Sequence, residues 1–154
     1  MVANLKQIIN LKQLKMGRVF FNTRENLDTD SLTGTDTYVM TEEDSGKTFL
    51  VSGGAQTVTL LPAATMVEGW NCRFVTTASP SGDKTISAGS GIISGSCQDA
   101  GNGVGCGTDG TAVTNIIIEA ASQAGNWLEL MCDGSAYYFN ASASQDTAFT
   151  TVAA

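Results

Sequence analysis

From residue 37 onward, apolar and polar side chains alternate in short runs separated by turn residues. In Thr57-Val58-Thr59-Leu60 the apolar groups fall on one face and the threonines on the other, as in a half-buried strand whose successive side chains point to opposite sides. Trp70, Cys72 and Phe74 likewise share a face opposite Asn71 and Arg73, and Leu128, Leu130 and Cys132 share one that leaves Trp127, Glu129 and Met131 on the other. The pattern predicts strands over 37–41, 47–51, 56–61, 70–77, 85–87, 112–120, 126–132 and 136–140. Between them stand Ser-Gly, Gly-Gly, Pro-Ser-Gly-Asp, Gly-Asn and Asp-Gly, which turns use for positive φ or for side-chain capping of the backbone. Short strands with such regular punctuation and no long helix predict a mainly β chain. The expected architecture is an antiparallel β-sandwich or jelly-roll-like domain, or a closely related small barrel.

The preceding residues have a different pattern. Leu5, Ile8, Leu11 and Leu14 recur every third position, with Ile9 as an extra, a period that is neither a clean helix nor a clean strand. An isolated helix of that length is marginal in water. The expectation is therefore an N-terminal arm ordered by contact with a neighbour, as helix or extended strand, with a helix packed on its own domain as the alternative. Residues 22–36, rich in Thr, Asp, Asn, Ser and Gly, read as a connecting loop. This divides the chain into an arm and loop over 1–36 and a body over 37–154. The body ends in a flexible Ala/Ser/Thr-rich tail, 141–154, read as either frayed or an exchanged end strand.

Charge sharpens the division. Lys6, Lys12, Lys15, Arg18 and Arg24 stand in the first 24 residues without one acidic partner, so a total of −7 splits into +5 for the arm and −12 for the remainder. An acidic body is a poor wrapper of nucleic acid, which is bound by neutralising phosphates. Basic residues spread among Leu5, Ile8, Ile9, Leu11 and Leu14 suit a protein groove with acidic edges better than a phosphate track. No apolar run approaches the roughly 18 residues of a membrane span, and lysines interrupt what a secretory signal keeps together. Synthesis in the cytoplasm, with neither nucleic acid nor membrane as partner, is the expectation. A hydrophobic content of 42% with 15% charged residues speaks for a packed domain rather than disorder.

Candidate chemistry is sparse. The chain contains no histidine, which removes the usual Ser-His and Cys-His pairs and the commonest general base. Cys72, Cys97, Cys106 and Cys132 match no zinc spacing. Cys97 and Cys106 bracket a glycine-rich loop short enough for a local disulfide, or serve as buried thiols, the reading favoured for Cys72 and Cys132. Ser45-Gly46-Lys47-Thr48 resembles the end of a phosphate loop, but Thr41 stands where the first glycine belongs and Glu42, Glu43 and Asp44 oppose an anion; a turn entering a strand fits better. Gly89-Ser90-Gly91 through Gly95 lacks the helix of a dinucleotide site and reads as a turn and a short strand. Asp99, Asn102 and Asp109 miss the spacing of a calcium loop. Asn140-Ala141-Ser142 is a glycosylation triplet without a secretory signal. No cofactor, no metal and no enzymatic activity are expected; a binding surface is.

Several stretches in fixed order carry a resemblance: Ser45-Gly46-Lys47-Thr48-Phe49, Thr57-Val58-Thr59-Leu60-Leu61-Pro62-Ala63-Ala64, Gly69-Trp70 with Phe74, then Ile86, Gly91 and Gly95. Gly125-Asn126-Trp127 with Leu130, and Asp133-Gly134 to Tyr137-Tyr138, complete it. Over about two thirds of its length the chain is similar to small β-rich structural domains of tailed bacteriophages, found in head decoration (cement) proteins, head fibres and tail fibres. The resemblance implies a virion protein and, as many such domains do, a homotrimer. Size and layout favour a decoration protein bound to the major capsid protein on the capsid exterior. Leu5, Lys6, Ile8, Ile9, Leu11, Lys12, Leu14, Lys15, Arg18 and Arg24 would anchor it. The alternative is a head-fibre or tail-fibre domain that binds a host receptor or glycan through the Cys97 to Cys106 loop. Trp127 and Met131, large apolar groups on the same face as Glu129, read from the alternation as a subunit contact or, equally, as one side of a sheet packed on both faces within the chain.

Overall fold

The computed structural model describes residues 29–99, 108 and 113–153. Among them run eleven strands: β1 (Thr29–Leu32), β2 (Tyr38–Val39), β3 (Thr48–Val51), β4 (Gln56–Thr59), β5 (Asn71–Thr76), β6 (Lys84–Ser87), β7 (Ile93–Asp99), β8 (Val113–Ile118), β9 (Trp127–Cys132), β10 (Tyr137–Ala143) and β11 (Phe149–Ala153). The protein is mainly β, built as a curled mixed sheet. Its order is β1-β3-β5-β9-β10-β7-β8-β6-β4-β2, with β11 added to β8. One arm of the curl is β1-β3-β5-β9-β10-β7, and the other is β2-β4-β6-β8-β11. Among the described residues they are joined at one pair, Ile93 and Val113.

The expectation of an antiparallel sheet needs correction. β1, β3 and β5 are parallel neighbours, as are β2, β4 and β6, and β7 runs parallel to β10. Parallel neighbours need a crossover, usually a helix. Here the crossover is a strand of the other arm, because the chain alternates between arms from β1 to β6. Thr29 lies against Thr48 and Tyr38 against Val58, so one circuit takes 19 to 20 residues. The next takes 25 to 28, Thr48 meeting Arg73 and Gln56 meeting Lys84. From β8 onward the chain reverses: β9 closes on β5, and β8 on β6, in antiparallel register.

Two further expectations change. Residues 29–32 lie within the stretch read as a connecting loop, yet form β1 against β3, with Leu32 buried. The C-terminal stretch read as a flexible tail contains β11, paired antiparallel to β8, with Ala148 and Phe149 buried. In both, one or two apolar side chains reaching the core, together with backbone pairing, outweigh a polar composition.

Inward side chains of both arms form one hydrophobic cluster, with Phe49, Phe74, Leu128 and Leu130 from one arm and Val58, Ile86, Ile116 and Ile118 from the other. Phe49 and Phe74 are register partners and stack at 5.4 Å. Trp70 meets Tyr137 edge-on at 6.2 Å. Their polar atoms are satisfied across the core, Trp70 Nε1 donating to the Thr41 carbonyl at 2.9 Å and the Tyr137 hydroxyl to the Leu61 carbonyl at 2.7 Å, as large buried aromatics require. Burial, then the nearby Cys132 and Cys72, pushes the Tyr137 phenol pKa well up. A phenol whose folded pKa is raised contributes stability that is complete below its ordinary value near 10 and lost as pH rises above it. Alkaline unfolding monitored by circular dichroism should therefore set in above about pH 10, and Tyr137→Phe should flatten that slope.

Lys84, fully buried on β6, spans the circuits. Its ammonium donates to the Gly34 carbonyl at 3.1 Å and to Gln56 Oε1 at 3.4 Å. These acceptors belong to the β1–β2 turn and to β4, so one side chain ties three levels of the winding. Burial pushes its pKa down, since desolvation disfavours the charged form.

Candidate interaction surfaces

On the outer face of the first arm, β5 and β9 set side chains directly opposite one another: Val75 with Trp127, Arg73 with Glu129, Asn71 with Met131. Each inward neighbour (Cys72, Phe74, Leu128, Leu130, Cys132) is buried, which fixes the register and hence the outward row. The Arg73 guanidinium lies 4.6 Å from the Trp127 ring centre, in cation–π range. Its Nε stands 3.7 Å from Glu129 Oε1, with the two side chains 42% and 48% exposed. That nitrogen has no hydrogen-bond acceptor. A depression of about 240 Å³ opens beside the pair, lined among others by Lys47, Thr48, Asn71, Arg73, Glu129 and Met131. Trp127 is half-buried and Met131 exposed, so the structure places both sequence-predicted contact residues on this one face.

A second constellation sits where the chain enters the winding. The 3-10 turn Glu42–Asp44 brings the buried Asp44 carboxylate back to the Thr41 backbone N–H at 2.8 Å and to the Thr41 hydroxyl at 3.3 Å. Lys47 Nζ donates to the same carboxylate at 2.7 Å and the Tyr38 hydroxyl at 3.0 Å. Burial alone would raise the Asp44 pKa, but the donors from Lys47, Thr41 and Tyr38 together hold it below the ordinary carboxylate value. Tyr38 is pushed well up, by burial first and then by Asp44. Ser45-Gly46-Lys47-Thr48 is accordingly a turn entering β3, with the Lys47 ammonium held by a carboxylate.

These geometries settle where the body's charge lies. Lys47 is paired with Asp44, Arg73 is engaged by Glu129 and Trp127, and Lys84 is buried; these are all the cations beyond residue 24. Asp36, Glu42, Glu43, Glu68, Asp83 and Asp133 are exposed. Asp133 shapes the β9–β10 turn by accepting from the Ser135 hydroxyl and from the Ser135 and Ala136 backbone, and these bonds hold its pKa well down.

Cys72 and Cys132 are buried free thiols, whereas Cys97 is disulfide-bonded; Cys106 lies outside the described residues. Burial, then the Asp44 charge, pushes the Cys72 thiol well up, the reverse of what a nucleophile needs. Among the described residues no three His, Cys, Asp or Glu side chains group as metal ligands, and no helix is long and apolar enough to cross a membrane. Asn102 and Asp109 lie outside those residues, as do all the arm positions from Leu5 to Arg24. No protein-family model and no curated protein matches the sequence.

Proposed function

We propose that this chain is a virion structural protein, a decoration (cement) protein that binds and stabilises the outer surface of a tailed-phage capsid. It acts as a trimer and without enzymatic activity, the major capsid protein being its partner. The observation that carries the reading is the disposition of cations. Each lysine and arginine of the body has a partner within its own chain, and the chain's five other cations all stand before residue 25. β1, the first described strand, is the terminal strand of its arm, and the body that follows is acidic. The two arms around a common core serve as the facing layers of a sandwich-like body, stiff enough to stand on a lattice. Many copies on that lattice multiply weak individual contacts.

Deletion of residues 2–24 tests the anchoring. The truncated protein should keep the circular dichroism spectrum and melting transition of the full chain while losing co-sedimentation with capsids, and full-length binding should weaken as salt rises. Capsid binding retained without the arm overturns the reading. Antibody labelling of intact virions should decorate the head densely; sparse label confined to the tail would move the assignment to a fibre domain.

A further inference from the structure

Among the described residues six large apolar side chains stand exposed, and four of them, Val67, Ile92, Met131 and Tyr138, gather at one end of the first arm. Met131 and Tyr138 are direct register partners on β9 and β10. The Ile92 carbonyl accepts the Tyr137 N–H at 3.0 Å, which seats Ile92 beside the start of β10. On the other flank the Gly69 N–H donates to the Cys132 carbonyl at 2.9 Å, and the Trp70 N–H to the Val67 carbonyl at 3.0 Å, bringing the Val67 turn against the end of β9. These side chains are 40% to 54% exposed. Scattered singly they would need no explanation, but four gathered at one end of the same arm mark a contact site, with the exposed Asn71 and Asp133 set among them.

We propose that this strip, with the Trp127, Arg73 and Glu129 row next to it, is the surface on which a second copy of this chain docks. Charge decides the occupant. Two bodies of −12 repel wherever their exposed carboxylates face one another, but here Arg73 is set against Glu129 and Lys47 against Asp44. The Arg73–Glu129 pair is loose, at 3.7 Å and nearly half exposed on both sides. Such a pair presents both signs side by side: Arg73 of one copy can reach Glu129 of the next, as the head-to-tail contacts of a ring require, a match that a partner of one charge sign does not offer. Glu68 and Asp133 remain at the border, the wet rim where interface charges are tolerated. The strip supplies the subunit contact that the trimer proposed above needs, and it rests on that reading only for the number of copies.

Sedimentation velocity of the full-length chain over a range of concentrations provides the test. The wild type should self-associate, more tightly at high salt because screening relieves the repulsion between bodies. The double variant Met131→Glu/Tyr138→Glu should weaken association by at least about tenfold with an unchanged melting temperature. Met131→Gln/Tyr138→Gln serves if the first fails to fold, and Val39→Glu, equally exposed but on β2, should leave association as it was. A wild type monomeric at every concentration, or a folded double variant that associates like the wild type, overturns the proposal. Capsid co-sedimentation run in parallel separates the two readings. Arm-deleted protein that still binds capsids sinks the anchoring and leaves this contact standing, while a monomeric wild type whose capsid binding is lost in the double variant assigns the strip to the capsid and overturns it.

Discussion

Asp44→Ala is expected to cost about 3 kcal/mol, the low end of the range found when one member of a buried ion pair is removed, because Lys47 keeps 21% of its side chain exposed and can turn to water. The substitution touches more than Lys47. The Thr41 N–H and the Tyr38 hydroxyl lose their acceptor as well, and Thr41 also offers its carbonyl to Trp70, so the loss reaches the largest aromatic of the core. Asp44→Asn, which keeps an acceptor but not the charge, should fall between. Chemical denaturation of the three proteins at neutral pH checks the order. The sign of the pH dependence follows from the depressed carboxyl pKa: its stabilisation is complete above the ordinary value of about 4 and disappears as pH falls through the lower folded value. The wild type should lose stability steeply below about pH 4, whereas Asp44→Asn, less stable at pH 7, should lose less there. Parallel curves for the two would show that Asp44 does not drive the acid transition.

Gly53→Ala is the second large effect, expected at about 2–5 kcal/mol, combining roughly 1–2 for a left-handed backbone with roughly 1–3 for overpacking. Gly53 has φ +73°, and a Cβ there would come within 2.2 Å of the Thr33 carbonyl oxygen one circuit earlier. The corner above is equally close, since the Ser81 N–H donates to the Gly53 carbonyl at 2.7 Å. A methyl group would thus wedge apart backbone that the β1–β3 ladder holds together. Gly89→Ala is the control: its φ is +61° and nothing lies within 4 Å of its Cβ position, so it should show the backbone cost alone. Equal melting temperatures for the two variants would remove the close-packed corner as the cause.

Alternation made most strands and both of their faces legible. Trp70, Cys72 and Phe74 are buried and Asn71 is exposed, Leu128, Leu130 and Cys132 are buried, and Glu129 and Met131 are exposed, as the period of two requires. Partners were not legible, because inward and outward alternation is the same whether a neighbour runs parallel or antiparallel. With no helix to announce a crossover, β1, β3 and β5 could not be recognised as neighbours. β1 was hidden by Thr-Asp-Ser, a polar run that reads as a loop. Trp127 and Met131 were readable as an outward face, but Val67 and Ile92 were not: each sits in a turn segment, and strand order alone brings them beside Met131 and Tyr138. The Asp44 site was visible only as a spoiled phosphate loop, since its chemistry lies in burial and in donors from Tyr38 and Thr41.

The alternating path from β1 to β6 also governs how this molecule can change length over evolution. Each circuit presents to the next the same kind of parallel edge that it received, so a whole circuit of 19 to 28 residues can be duplicated or lost while the strands above keep their neighbours. A gap of one or two residues inside a strand turns core side chains outward. Divergence in this lineage should therefore come in two sizes, single substitutions on the outer rows and insertions the length of a full circuit.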